Sequence, residues 1–435
     1  MRGRASLAAL FCLFFAAGAA PAFAEQWIAS WGAAPVQPAF LVTAAPPANP
    51  AAPVPGAPAE SAARPISPPS SGPVSLNNET LRNVVRISAG GQRIRLRLTN
   101  EYGAAQLKIG AASVSLADAS GAIVANTMRK VTFAGKSSAV IAAGAPLLSD
   151  PIYLPVKPLS TLSISVYFPE DTGPCTCHPA AQQTAYVSAP GDFTAADFQP
   201  ARTLVARAFI SGVDVEVKKG AAIVALGDSI TDGTGSTAGA NRRWPDRLAE
   251  RLVESRPGEA WGVVNEGIGG NRVLAEGRGP SALARFDRDV LAQSGVAYVI
   301  VFEGINDLGR GFSMRPGAPV PATPEQKPTA EAMIAGYRQL IARAHARGVK
   351  VIGATIAPNQ GAMSWSEEGE AQRTAINQWI RTGGEFDGVA DFDAALRDPA
   401  APLRIAEGKH AGDHLHGNDA GYLVVANAID LRLFK

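Results

Sequence analysis

The hydrophobic pattern of this chain changes its period near residue 218, and this change limits the folds open to it. Before this point, Arg93–Thr99 and, up to its last residue, Leu162–Phe168 alternate between polar and apolar side chains, which is typical of half-buried antiparallel strands. After it, short apolar runs alternate with amphipathic helical patterns, which indicates a parallel sheet covered by helices on both faces. We therefore predict an antiparallel β-sandwich domain over residues 76–217 and an α/β domain over residues 218–435. A chain of 435 residues is long enough for both.

The C-terminal half contains apolar runs short enough to be strands, separated by segments with a helical period. The predicted strands are Ala222–Leu226, Gly262–Asn265, Ala297–Phe302, Val349–Ile356 and Gly388–Asp391. The predicted helices are Trp244–Glu254, Ala282–Leu291, Ala330–Arg347 and Glu367–Thr382.

The first 75 residues indicate export and a poorly packed connection. Residues 1–24 combine Arg2 and Arg4, an apolar run and a small-residue site ending at Ala24, which is typical of a cleaved secretory signal peptide. The apolar run is shorter than the about 18 residues of a membrane span, so we expect no stable membrane anchor. Residues 25–75 are predicted to form a short strand followed by a Pro/Ala-rich linker or loop. We expect a periplasmic or extracellular protein.

Charge and cysteine content exclude several classes of function. The chain has 40 Lys and Arg and 38 Asp and Glu, and removal of Arg2 and Arg4 leaves the mature chain neutral. Such a balance disfavours nucleic-acid binding. Cys175 and Cys177 are followed by His178, too few ligands for a recognisable metal site, so we predict no metal. A local disulfide clip and two free thiols both remain open for this pair.

Ser229 is the candidate nucleophile because it lies just past a predicted buried strand. Ligands bind at the carboxyl ends of strands in open α/β sheets. The alternative is that Ser229 is only the N-cap of the following helix. Its setting, Gly227-Asp228-Ser229-Ile230, differs from the Gly-x-Ser-x-Gly turn of the α/β-hydrolases.

Asp413 and His416 are the candidate partners of the serine. Their spacing of three residues lets the carboxylate reach an imidazole nitrogen, which would orient the ring and stabilise its charged form. His414, in the same loop, is an alternative base. The remaining histidines, His178, His345 and His410, have no carboxylate so well placed in the sequence.

Two further loops could stabilise an oxyanion. The glycine loop Asn265–Asn271 follows the second strand of the α/β domain and offers backbone N–H groups of Gly270 or, as a near alternative, Gly269. The loop after the third strand offers the side-chain amide of Asn306. A glycine-rich turn and an Asx-turn are the alternative interpretations.

These four blocks occur in the order serine, glycine, asparagine, Asp-x-x-His, and in this respect residues 220–435 resemble the GDSL, or SGNH, hydrolase family. The resemblance implies a flavodoxin-like α/β/α fold, a catalytic triad of Ser229, His416 and Asp413, and an oxyanion hole of Ser229, Gly270 and Asn306. Arg97–Gly103 and Gly191–Thr194 resemble a subgroup of arylesterases and acylhydrolases, some associated with xylan breakdown, in which a strand-rich domain precedes the catalytic one.

The resemblance implies a secreted serine esterase that needs no cofactor and acts through an acyl-enzyme. We expect short acyl groups, such as acetyl, on small or aryl esters or on an acylated polysaccharide. The alternatives are a lipase or lysophospholipase, an acyltransferase and a non-catalytic carbohydrate-binding protein. The last would need an aromatic platform, but aromatic residues make up only 7% of the chain. A structural or cleft-shaping role is therefore favoured for the β-sandwich domain.

Overall fold

The computed structural model of the protein describes residues 26–37, 74–118, 121–195, 198–309 and 328–435. The predicted signal peptide and most of the Pro/Ala-rich segment lie outside these residues. Within the described ranges, every helix is too short or too polar to cross a membrane.

The N-terminal part consists of antiparallel strands, as the period-two pattern predicts. Its strands are β1 Gln26–Gly32, β2 Glu79–Arg86, β3 Gly91–Asn100, β4 Leu107–Ile109, β5 Ala111–Ala117, β6 Arg129–Lys130, β7 Ala139–Ile141, β8 Ala145–Leu148, β9 Ile152–Val156, β10 Thr161–Phe168, β11 Cys177–His178, β12 Ala185–Pro190, β13 Pro200–Leu204, β14 Arg207–Ala208 and β15 Ile210–Val217. One sheet has the order β1-β15-β3-β8, with β9 also pairing with β3. The other has the order β13-β12-β2-β10-β5-β6, and β4-β7 and β11-β14 form short ribbons. Apolar side chains of both sheets share one core.

The alternation in β3 separates a core face from a face that carries arginines. Ile94, Leu96 and Leu98 are fully buried, whereas the arginines between them are half-buried. Arg95 Nε donates to Asp214 Oδ2 on β15 at 2.9 Å, and Arg95 Nη2 donates to Ser294 Oγ of the C-terminal domain at 3.0 Å. The polar face of this sheet therefore contacts the second domain.

The C-terminal part is an α/β domain built on a five-stranded parallel sheet. Its elements are β16 Gly220–Gly227, α1 Ser229–Asp232, α2 Trp244–Ser255, β17 Ala260–Gly267, α3 Ala282–Phe286, β18 Val296–Phe302, α4 Ile305–Leu308, α5 Ala330–His345, β19 Lys350–Ala354, α6 Glu367–Thr382, β20 Gly388–Ala390, α7 Phe392–Leu396 and α8 Asp419–Asn427. A π-helix, Asp287–Leu291, continues α3, and a 3-10 helix, Leu431–Leu433, follows α8.

The strand order β17-β16-β18-β19-β20 is that of the flavodoxin-like doubly wound fold, which confirms the predicted fold class. All four strand pairs are parallel, and Ile223–Leu226 of β16 are fully buried at the centre. The connection from β16 leads to β17 on one side, and the connection from β17 crosses back to β18 on the other side of β16. The loop after β16, which carries Ser229, therefore lies where ligands bind in such sheets.

Strand β1 joins the two domains by lying against the edge strand β17. A Cβ atom on Gly262 of β17 would overlap the carbonyl oxygen of Ala29, so the two backbones are close enough to need glycine. Ala29 N donates to Ser294 O at 2.8 Å, and Val263 N donates to Ser88 Oγ at 2.7 Å. The β-sandwich domain thus covers an edge of the parallel sheet that would otherwise expose unpaired backbone groups.

Candidate active site

The turn that carries Ser229, the candidate nucleophile, begins where β16 ends and is called the nucleophile turn below. Asp228 is the N-cap of α1, because its Oδ1 accepts from Ile230 N at 2.8 Å, and Ser229 is the first helical residue. The alternative in which Ser229 serves as the N-cap is therefore wrong. A Cβ atom on Gly227 would overlap Thr231 and the backbone of β18, so only glycine allows the chain to turn this tightly.

Ser229, His416 and Asp413 form a continuous hydrogen-bonded chain. The hydroxyl Oγ of Ser229 lies 2.8 Å from Nε2 of His416, and Nδ1 of His416 lies 2.5 Å from Oδ2 of Asp413. Because the carboxylate accepts from Nδ1–H, Nε2 is left as the acceptor of the serine proton. Ser229 itself is 8% exposed. This is the arrangement of a nucleophile, its general base and the group that orients the base.

The loop that carries Asp413 and His416 is held by the aspartate. Its Oδ1 accepts from the backbone N–H groups of Leu415 and His416, each at 3.0 Å. Partial burial opposes ionisation of Asp413, but the hydrogen bond and charge of His416, with these N–H groups, hold the pKa of Asp413 well below its usual range. The carboxylate is therefore ionised at neutral pH and accepts a hydrogen bond from Nδ1–H of His416.

The glycine loop lies against Ser229, and Asn306 contacts this loop. A Cβ atom on Gly269 would lie 4.0 Å from Ser229 Cβ, and Gly270 has the left-handed φ of +75°. Asn306 Nδ2 donates to Asn271 O at 2.9 Å, which ties the asparagine to this loop and leaves its second amide hydrogen for another acceptor. The structure thus brings Gly269, the near alternative, beside Ser229, and it links Asn306 to the loop that carries Gly270.

Asp307 holds the segment that directly follows the glycine loop, a contact that the sequence did not indicate. Its carboxylate accepts from Val273 N at 2.9 Å and from Leu274 N at 3.2 Å. Burial raises the pKa of Asp307 to about 6, against the lowering effect of the two N–H groups. Its position directly after Asn306 was the only signal in the sequence, and the partners are more than 30 residues away.

Arg285 is a second missed residue, and it is fully buried beneath the site. Its guanidinium donates to Gly227 O at 3.0 Å, Glu266 O at 2.7 Å and Asn271 Oδ1 at 2.9 Å. It therefore links the end of the nucleophile strand to both ends of the glycine loop. Asp289 Oδ2, at 2.9 Å from Nη1, balances its charge.

Comparison with known proteins agrees with this geometry. Residues 225–424 match the model of the GDSL-like lipase/acylhydrolase family, and all five predicted site residues fall inside this range. The C-terminal domain is a GDSL-like acylhydrolase domain. Its enzymatic class is therefore that of the carboxylic-ester hydrolases. No curated protein matches the chain.

Solved structures similar to the chain span about half of it. An acetylxylan esterase from Geobacillus stearothermophilus has 23% sequence identity and a TM-score of 0.37, over 49% of this chain and 94% of that one. The lipase/acylhydrolase from Enterococcus faecalis has 19% identity and a TM-score of 0.37, over 48% and 92%. A GDSL-like lipase from Bacteroides thetaiotaomicron has 17% identity and a TM-score of 0.36, over 50% and 89%.

The other histidines differ in part from expectation. His178 has a well-placed carboxylate after all, since its Nε2 lies 2.9 Å from Asp232 Oδ1 in the GDSL-like domain. His345 is exposed on α5 and lies 2.8 Å from Asp387. Both partners are distant in sequence, so local spacing could not indicate them. His414, the alternative base, packs against Gly361 and has φ of +58°.

The pair Cys175 and Cys177, left open in the sequence, is a disulfide, and both residues are buried. Among the residues that the structure describes, no three His, Cys, Asp or Glu side chains cluster in a way that could hold a metal ion.

Proposed function

We propose that the protein is a serine esterase in which Ser229, His416 and Asp413 are the catalytic triad. The observation that carries this proposal is the chain of contacts from Ser229 Oγ through both ring nitrogens of His416 to Asp413. Membership of the domain in an acylhydrolase family supports the same reaction class.

In the first step, Ser229 Oγ attacks the ester carbonyl while its proton moves to Nε2 of His416. The protonated ring then gives this proton to the departing alcohol oxygen, as the carbonyl–oxygen bond of the ester breaks. Water attacks the resulting acyl-enzyme with His416 again as base, which releases the acid and restores the serine. Asp413, already ionised, stabilises the imidazolium in both steps.

We propose that the oxyanion of each tetrahedral intermediate is held by the backbone N–H groups of Ser229 and Gly270 and by Nδ2 of Asn306. Neither backbone N–H group has an acceptor within the described part of the chain. The left-handed backbone of Gly270 and the tie between Asn306 and Asn271 fix two of the donors before substrate binds. Such preorganisation is the main source of stabilisation in sites of this kind.

Short acyl groups are the proposed substrates, on aryl esters or on carbohydrate. In this proposal the acyl carbon lies between Ser229, the glycine loop and Asn306, and Ser229 and Asn306 are only 8% and 5% exposed. A series of aryl esters with increasing acyl length, run beside acetate release from acetylated xylan, tests this proposal. A sharp preference for acetyl supports it, and a preference for long chains would favour a lipase.

The triad is tested by Ser229→Ala. We expect ester hydrolysis to be abolished, whereas the circular dichroism spectrum and thermal midpoint stay unchanged. Ser236→Ala is the matched control, because Ser236 is also 8% exposed and its Oγ donates to Gly233 O in the adjoining turn. Activity retained in the Ser229 variant would refute the proposal.

We also propose that the chain is exported and cleaved after Ala24, as residues 1–24 predict. The buried disulfide of Cys175 and Cys177 supports an oxidising compartment. Intact-mass measurement of the protein from periplasm and medium should give an N-terminus at Glu25. A mature protein that still begins at Met1 in the cytoplasm would contradict this.

A further inference from the structure

The Cys-Thr-Cys-His motif of residues 175–178 has no role in the proposed reaction, yet it lies next to the nucleophile turn. The disulfide closes the motif, and the β-sandwich domain holds it through Cys175 N to Val74 O and Val36 N to Cys177 O, both at 2.8 Å. His178 follows directly and crosses the domain boundary to reach Asp232.

The ring of His178 is fixed at both nitrogens. Nδ1 lies 2.9 Å from the carbonyl oxygen of Ala34, and because a carbonyl only accepts, Nδ1 carries a proton. Nε2 lies 2.9 Å from Asp232 Oδ1. This second contact needs one further proton, on the ring or on the carboxylate, and in either case the buried pair has no net charge. His178 is 4% exposed and Asp232 is 1% exposed, so the pair is shielded from water.

Asp232 is the last residue of α1, and Ser229 is the first. Oδ2 of Asp232 is buried and has no hydrogen-bond partner within the described ranges. A Cβ atom on Gly269 would lie 3.9 Å from Asp232 Oδ2 and 4.0 Å from Ser229 Cβ. The carboxylate of Asp232 and the side chain of Ser229 therefore line the same side of the glycine loop.

We propose that His178 of the β-sandwich domain is a positioning residue, which acts through Asp232 to hold Ser229 at its distance from His416. This inference rests on the proposed function, and it gives the β-sandwich domain a part in the reaction. A four-residue helix has little stability of its own. The contact from His178 supplies a tertiary anchor at the end of α1 opposite to the Asp228 cap.

Two near-isosteric variants separate the two contacts of His178. In His178→Gln, the amide N–H reaches the place of Nε2 and still donates to Asp232. In His178→Asn, the amide N–H takes the place of Nδ1 and donates to Ala34 O, but does not reach Asp232. We expect kcat to fall by about 10- to 100-fold in the Asn variant, with KM nearly unchanged, because small misplacements of reacting groups have effects of this order. The Gln variant should recover most of kcat.

A second readout follows the serine directly. The rate at which a fluorophosphonate labels Ser229 should fall in the Asn variant and recover in the Gln variant. His345→Gln is the matched control, because it changes an exposed His–Asp pair with a similar 2.8 Å contact far along the chain. If the Asn variant does not fold, His178→Ala replaces it in the test, and added imidazole should restore its rate of ester hydrolysis. The rate measured for Ser229→Ala with the same imidazole is subtracted as background.

Wild-type kcat in the Asn variant, or an equal loss in the Gln and Asn variants, would overturn the inference. Absence of imidazole rescue in the Ala variant would do the same. Loss of activity in Ser229→Ala together with full activity in the Asn variant would refute only the role of His178. Activity in Ser229→Ala would instead refute the proposed function itself.

Discussion

Asn306 is the proposed oxyanion donor whose contribution can be measured by a single substitution. Its side chain is 5% exposed and is oriented by the 2.9 Å bond from Nδ2 to Asn271 O. We expect Asn306→Ala to lower kcat on the order of 10²–10³-fold, the usual loss of one such donor, with a small change in KM. Steady-state hydrolysis of an aryl acetate measures both constants.

Asn306→Asp is the matched variant for this test. It keeps the size of the side chain but replaces the amide donor by an acceptor, so it should lose at least as much activity as the alanine variant. An aspartate variant with wild-type kcat would show that the amide donates nothing to the transition state.

Asp228 makes stability depend on pH in the opposite direction to most surface carboxylates. Burial raises the pKa of Asp228 to about 7, against the lowering effects of the Ile230 N–H group and His416. The native state therefore binds the proton more tightly than the unfolded state, and this part of the stability is lost as pH rises from about 4 to about 7.

Asp228→Asn should remove this pH dependence and keep the cap, because its amide oxygen still accepts from Ile230 N. Relative to the wild type, the variant should gain at most about 3 kcal/mol of stability between pH 5 and pH 8, and less where Asp307 and Glu303 titrate with Asp228. Urea unfolding at both pH values measures this. Asp430→Asn is the control, because hydrogen bonds from exposed Arg432 hold the pKa of Asp430 at about 2 and no change is expected in this range.

Among the individual residues of the candidate site, the sequence indicated those that have a partner nearby in the chain or that directly follow a predicted strand. Asp413 and His416 are three residues apart, and Ser229 and Asn306 each follow a buried strand. His178, Arg285 and Asp307 were missed because the partners that relate them to the site lie between 14 and 58 residues away. No local period or spacing contains that information.

The two-residue strand β11 begins at Cys177, one of the two cysteines of the disulfide. Cys175 and Cys177 close a loop of three residues, for which the chain-entropy model gives a stabilisation of about 2 kcal/mol. Replacement of both by alanine should lower the free energy of unfolding by about this amount, measured with urea. It should also lower kcat in the same direction as His178→Asn, because β11 then holds the ring less firmly.

The activity of the double alanine variant at low temperature separates the two effects. Stability no longer limits the folded fraction there, so a remaining loss of kcat reports the position of His178. Full kcat under these conditions would show that β11 keeps its place without the disulfide.

The regular elements of the α/β domain follow closely from the hydrophobic pattern. All five predicted strands and all four predicted helices are present, with differences of a few residues at their ends. The exception is Ala282–Leu291, predicted as one helix, which is an α-helix that continues as a π-helix from Asp287. Ten residues are too few for periodicity to distinguish these helices, and the buried Arg285–Asp289 pair spans the change.

The junction between the domains could not be predicted, because it depends on close contacts between segments more than 170 residues apart. Gly262 is an ordinary strand glycine in the sequence, and only the structure relates it to Ala29. The alternation of β3 did indicate a polar outer face. It did not indicate that Arg95 binds Asp214 and the second domain rather than water.

Gly262→Ala tests whether this junction supports the whole molecule. Its Cβ atom would overlap the carbonyl oxygen of Ala29, and neither backbone can move without breaking the pairing of β1 or β17. We expect a loss of about 3 kcal/mol or more in the free energy of unfolding, at the upper end for an overpacked site. Because the same shift would withdraw Ala34 and His178 from Asp232, kcat should fall as well.

Gly212→Ala is the matched control, since its Cβ atom would meet only ordinary contacts at 3.5 Å on the buried strand β15, and both stability and kcat should stay near the wild type. Equal behaviour of the two variants would mean that the domains do not depend on the contact between β1 and β17.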